Sequence, residues 1–218
     1  MSLLPRSILC FGDSNTHGTA PMTALGQSRR WPFHQRWPGV LQGLLGADWR
    51  VIEEGLPGRT IGRDDPVEGA DRNALRWLPA CLGSHRPLDA VVFLLGVNDL
   101  KARFQADAAA VAAGVHGLVD AVQLDCARAG LPQPRLLVVS PPPARALGCL
   151  APMFSGVEAR GQGLGEAYAR VAAARGVDVI DGGSLARVCD EDGVHLDVPA
   201  HQAIGRAVAR WVCDGEPG

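Results

Sequence analysis

Two short segments at opposite ends of the chain carry residue types that could together make a nucleophile. Gly12-Asp13-Ser14-Asn15-Thr16-His17-Gly18 follows the apolar run Ile8-Leu9-Cys10-Phe11, and Asp192-Gly193-Val194-His195 lies near the other end. A serine hydroxyl alone is inert, but a histidine base held by a carboxylate turns it into an attacking group. His195 is the expected base, since an ordinary imidazole titrates near ~6.5 and can take a proton at neutral pH. Asp192, three residues earlier, is placed to hold the other ring nitrogen. Spacing alone leaves Asp190, Glu191 and Asp197 open in that role. His201 is a rival base, but it falls inside the predicted last helix and reads as a surface histidine.

Two further blocks could hold developing negative charge. Gly55-Leu56-Pro57-Gly58-Arg59-Thr60 has glycines that let a backbone N–H approach a substrate oxygen, although for this block in isolation an ordinary turn is the favoured reading. In Gly96-Val97-Asn98-Asp99 the asparagine could aim its amide at an oxyanion, a contact worth about 2.7–4 kcal/mol of barrier. An Asx turn is the plainer reading of Asn-Asp. Gly-Asp-Ser has a plain reading too, as a helix N-cap. Gly12 is expected to let the backbone turn sharply after the strand.

The elements that must position these residues alternate between apolar runs and amphipathic stretches. Strands are predicted over 7–11, 49–53, 88–95, 135–140 and 177–180, with 88–95 the central one. Helices are predicted over 37–45, 73–82, 107–129, 157–175 and 200–212, the fourth weakened by Gly161, Gly163 and Gly165. This alternation is that of a parallel sheet wrapped by helices, whose ligand sites lie at the carboxyl edge. The loops 19–38 and 140–152, rich in proline and carrying Trp31 and Trp37, follow strands and are expected to wall the site, the second through Pro141-Pro142-Pro143.

Composition narrows the function classes. With 218 residues, 47% hydrophobic and 20% charged, the chain suits one globular domain spanning 1–218. A net charge of −2 leaves no electrostatic footprint for nucleic acid. No stretch reaches the ~18 apolar residues of a membrane span. Met1–Arg6 is too short for a signal peptide before the first strand, so the cytoplasm is the expected compartment. The six cysteines are scattered and read as reduced thiols. No metal or organic cofactor is expected, since no His/Cys cluster with ligand spacing stands out. Lys101, the single lysine beside twenty arginines, carries no signal for Schiff-base chemistry.

Taken together the four blocks resemble those of the SGNH hydrolase superfamily, also called GDSL esterases. Its Ser, Gly, Asn and His correspond to Ser14, Gly58, Asn98 and His195, in order over almost the whole chain. Val51-Ile52-Glu53-Glu54-Gly55-Leu56, Leu78-Pro79-Ala80-Cys81-Leu82 and Val138-Val139-Ser140-Pro141-Pro142-Pro143 are similar to the bacterial arylesterase and acyltransferase group. The resemblance implies a flavodoxin-like α/β/α sandwich with a five-stranded parallel sheet of order 2-1-3-4-5. It implies an oxyanion hole made by the Ser14 N–H, the Gly58 N–H and the Asn98 side chain. Asn15 replaces a leucine common in relatives and is expected to touch no catalytic group. His17 replaces the tryptophan of the acyltransferases, whose ring-like octamers make a homo-oligomer an open expectation.

The reading is a serine esterase cleaving short-chain acyl or aryl esters through an acyl-enzyme, with transfer to alcohols in competition with water. A carbohydrate O-acetyl esterase, a thioesterase or a lysophospholipase would use the same residues. The non-enzymatic alternatives are a flavodoxin-like nucleotide binder, against which no phosphate-cradling glycine motif is present, and a scaffold that retains only the fold.

Overall fold

The computed structural model describes residues 5–27 and 29–215. Met1–Leu4, and with them most of the N-terminal segment read above for targeting, lie outside the described residues.

Five strands form one parallel sheet: β1 (Arg6–Gly12), β2 (Trp49–Gly55), β3 (Ala90–Leu94), β4 (Arg135–Ser140) and β5 (Asp178–Asp181), in the order β2-β1-β3-β4-β5. The expected order holds. Among the described residues eight α-helices accompany them: α1 (Ser14–His17), α2 (Trp37–Leu45), α3 (Ala74–His85), α4 (Ala108–Ala129), α5 (Val157–Arg160), α6 (Leu164–Arg175), α7 (Gly182–Leu185) and α8 (Val198–Asp214).

The inner strands β1, β3 and β4 are largely apolar on both faces because both faces are covered. Leu9, Phe11, Val91, Phe93 and Val138 pack under α3, α4 and α6, while Ile8, Cys10, Val92, Leu94, Leu137 and Val139 pack under α2 and α8. The period-2 alternation of side chains thus sorts each strand between two cores.

Helix starts follow capping chemistry. Asn73, Asp107 and Asp197 each place a side-chain oxygen on an N–H of the first turn of α3, α4 and α8. The central strand is shorter than the predicted 88–95, and the Leu95 carbonyl instead accepts the Tyr168 hydroxyl at 2.8 Å. The stretch 157–175 is two helices, with Gly161 and Gly163 between them. The last helix begins and ends two residues beyond the predicted 200–212.

Candidate active site

Ser14 opens α1 directly after β1 and is buried to 4% exposure. Asp13 caps this turn: its side chain accepts from the Asn15 N–H at 2.9 Å, and its carbonyl accepts from Thr16 and His17. The Ser14 N–H, first in the helix, has no intrahelical acceptor. Burial pushes the Asp13 carboxyl up to about 6, against the lowering pull of the Asn15 N–H and of His195, Arg59 and Lys101. Gly12 serves a different end from the expected sharp turn. A Cβ there would lie 2.0 Å from Thr16 Oγ1 and 2.6 Å from the Leu94 carbonyl oxygen, so only glycine lets α1 and β3 approach this closely.

The C-terminal segment brings His195 to the same place. His195 Nδ1 lies 2.6 Å from Asp192 Oδ2, and Asp192 Oδ1 accepts from the N–H groups of Val194 and His195 at 3.0 and 2.9 Å. The Met22 N–H donates to Asp192 Oδ2 at 2.8 Å. Burial by itself would raise this carboxyl, but the bonds and charge of His195 and the backbone donors outweigh it and hold Asp192 at about 2. Of the rivals that spacing left open, Asp197 is spent capping α8 and Asp190 pairs with Arg145 at the surface.

Gly58 is the third residue of a turn closed by the Arg59 N–H on the Leu56 carbonyl at 3.1 Å. Its φ of +81° suits the glycine that a Pro-Gly turn of this kind requires, and the turn's own bond leaves its N–H unused. Asn98 donates one amide hydrogen to the Arg59 carbonyl at 3.1 Å, which leaves the second for the cavity. Arg59 ties this corner together. Its guanidinium lies 4.1 Å from the Phe11 ring centroid and donates to the carbonyls of Gly12 and Glu54 at 2.8 and 2.5 Å.

Ser14, Gly58, Asn98 and His195 line one cavity of about 390 Å³. Met22, Leu25, Leu150, Met153 and Phe154 give it an apolar wall, and Glu68, Arg72 and Lys101 a charged one. The loop 19–38 reaches the cavity through Thr19, Met22 and Leu25, but its tryptophans do not. Trp37, the first residue of α2, is fully buried with its Nε1–H on Thr16 Oγ1 at 3.2 Å, and Trp31 donates to the Leu196 carbonyl at 3.1 Å. Pro141–Pro143 border neighbouring clefts instead. His17 bonds Thr19 Oγ1 at 3.1 Å, behind the wall rather than on it.

One expectation is overturned here and another is extended. His201 is no surface residue. It faces inward from α8 at 0% exposure, because the apolar stripe of that helix includes its position, and its Nδ1 accepts from the Trp37 N–H at 3.3 Å. The Asn15 side chain bonds none of Ser14, Asp192 and His195, as expected, but it holds the segment that carries His195. Its Oδ1 accepts from the Leu196 N–H at 3.1 Å and its Nδ2 donates to the Val194 carbonyl at 3.2 Å. The residue after Ser14 therefore grips the backbone on both sides of His195. A polar side chain at this buried position was the available signal.

A serine, a histidine and an ionised carboxylate gathered at the carboxyl edge of a parallel α/β/α sheet is the arrangement by which serine hydrolases work. The model of the GDSL-like lipase/acylhydrolase family matches residues 10–203, and the chain belongs to that family. It is accordingly a carboxylic ester hydrolase, and the binder and scaffold readings give way. The inhibitor-bound aryl esterase of M. smegmatis is 37% identical, with a TM-score of 0.91 over 96% of this chain and 99% of that one. Est24, a carbohydrate acetylesterase from Sinorhizobium meliloti, is 36% identical with a TM-score of 0.91 over 96% and 99%. A carbohydrate acetylesterase family member from the same organism is 39% identical, with a TM-score of 0.84 over 95% and 97%. No curated protein matched the chain. Among the described residues no helix is long and apolar enough to cross a membrane.

Proposed function

We propose that the protein hydrolyses short-chain acyl and aryl esters through an acyl-enzyme on Ser14, as one hydrolase domain spanning 1–218. His195 takes the Ser14 proton as the hydroxyl attacks the ester carbonyl, and later gives it to the departing alcohol. Asp192 holds the imidazole and stabilises its charged form. The N–H groups of Ser14 and Gly58 and the free amide hydrogen of Asn98 bind the tetrahedral oxyanion. Water then attacks the acyl-enzyme, and an alcohol can take its place. No metal or organic cofactor enters these steps.

The observation that carries this reading is the opening of Ser14 and of His195, which is bonded to the buried Asp192 at 2.6 Å, onto one small cavity with both further oxyanion donors. A volume of about 390 Å³ suits an acetyl or butyryl group with an aromatic alcohol better than a long acyl chain. The similar aryl esterase supports an aromatic leaving group. The charged wall of Glu68, Arg72 and Lys101, together with the similar carbohydrate acetylesterases, favours a second reading in which the alcohol is an acetylated sugar. Six free cysteines fit a reducing, cytoplasmic setting.

The test is labelling of Ser14 by a fluorophosphonate together with rates on p-nitrophenyl acetate, butyrate and octanoate and on acetylated xylose. Labelling lost in Ser14→Ala and a maximum at acetate or butyrate are expected. An unlabelled serine would remove the nucleophile, and a maximum at octanoate would defeat the short-chain assignment.

A further inference from the structure

A second polar cluster lies outside the ester cavity, where the end of β2 meets the last turn of α3. Cys81 and His85 are four residues apart on α3 and so share one helix face. Glu54, from β2, reaches across to them: its Oε1 lies 2.8 Å from His85 Nε2, and the Cys81 thiol hydrogen-bonds to the same carboxylate. One ligand atom from each of the three falls within 4.8 Å of the other two. None of these residues lines the ester cavity.

The geometry points to Glu54, Cys81 and His85 as a binding site for a divalent transition ion of the zinc class, clipping β2 to α3. The donor set is one sulfur, one imidazole nitrogen and one carboxylate oxygen, which selects zinc-like ions over magnesium or calcium. Metal–ligand bonds of about 2.0–2.3 Å place ligand atoms about 3.3–3.8 Å apart at tetrahedral angles, so small side-chain rotations close the present spacing around an ion.

Access and charge agree with this assignment. All three residues are half-buried and line a cleft of about 590 Å³, which admits an ion and leaves room for a water as fourth ligand. The Arg59 guanidinium also lines this cleft and opposes a bare cation. A thiolate and a carboxylate neutralise a divalent ion, however, so the loaded site adds no net charge beside it. On loading, bonds form from the metal to sulfur, nitrogen and oxygen, the thiol proton leaves to solvent, and His85 carries its one proton on Nδ1. The scattered cysteines concealed this site in the sequence because its third ligand comes from a strand 27 residues before Cys81.

Cobalt(II) is the probe, since its thiolate complexes absorb in the near ultraviolet and its tetrahedral sites absorb strongly in the visible. Titration of the metal-free protein is expected to give both signals at one equivalent, and zinc to bleach them. Cys81→Ser removes the thiolate band, whereas Cys213→Ser, at an exposed cysteine, keeps it. His85→Ala and Glu54→Gln weaken binding by at least about tenfold, the loss that even supporting residues around a metal commonly cause. Zinc raises the melting temperature of the wild type and leaves that of His85→Ala unchanged, a readout available even if Cys81→Ser folds poorly. The proposal is overturned by the absence of a thiolate band at one equivalent, by a band that survives in Cys81→Ser, or by equal zinc stabilisation of wild type and His85→Ala.

Discussion

His195 and His201 stand six residues apart and have opposite fates. His195 lies in the loop before α8, with Nδ1 on Asp192 and its ring at the edge of the cavity. His201 lies on the inward face of α8, with Nδ1 taken by the Trp37 N–H and Nε2 sealed in the core without a partner. The residue type is the same, and so is the distance from Ser14 along the chain to within a few positions. What separates the proposed base from a packing residue is an open nitrogen on one side and a carboxylate on the other. Burial, with the charges of Arg36 and His195 adding to it, pushes His201 down to about 4, so it is neutral at neutral pH.

The comparison breaks most sharply by deletion. Ser14→Ala and His195→Ala are each expected to lose at least about 10³-fold in kcat on p-nitrophenyl acetate, the usual size of such removals. His201→Ala, if folded, keeps kcat within about threefold, because removals in a unit acting elsewhere leave the reacting groups in place. Equal damage from the two histidine changes, with both proteins folded, would abolish the distinction.

A smaller loss tests the oxyanion side. Asn98→Ala is expected to lower kcat by about 10²–10³ with KM little changed, the mark of a contact made only in the transition state. A rise in KM at constant kcat would move Asn98 out of that role.

Asn15 sharpens what makes His195 useful. Asn15→Ala releases the backbone at Val194 and Leu196, and a base misplaced by an ångström costs on the order of 10²-fold, so a loss of about 10- to 100-fold in kcat is expected at constant KM. Fluorophosphonate labelling should slow in parallel. A fall in melting temperature with unaltered kcat would make Asn15 a stability residue only.

The least effect is on stability against pH. The folded His201 binds its proton only near about 4, against 6.5 for a free histidine, so the unfolded chain binds more protons between those values. Its contribution is complete above 6.5 and lost as pH falls toward 4. Between pH 7 and 5 this amounts to about 2 kcal/mol. Urea melts at those two pH values should show His201→Asn losing less stability on acidification than the wild type. Equal losses would place the shift elsewhere.

Much of this architecture was legible before folding. The strand at 135–140 and the helices predicted over 73–82 and 107–129 follow from local preferences, which operate within a few residues. The cavity's partners were legible as residue types after strands. Their roles were not, because Trp31 and Trp37 fall in the segment 19–38 that was expected to wall the site, and only packing shows Trp37 turned into the core at the start of α2. Arg59, read as part of a turn, turned out to brace that turn against β1 and β2.

By itself the amino-acid order determined which segments become strands and helices, and that a hydroxyl, an imidazole and a carboxylate stand at their ends. Periodicity and capping are short-range, so they can be read along the chain. Only the tertiary structure decided that Asn15 grips the segment bearing His195, that His201 turns inward, and that Glu54 meets Cys81 and His85. Those outcomes depend on how distant elements press together, and the energy that settles them belongs to contacts no local pattern contains.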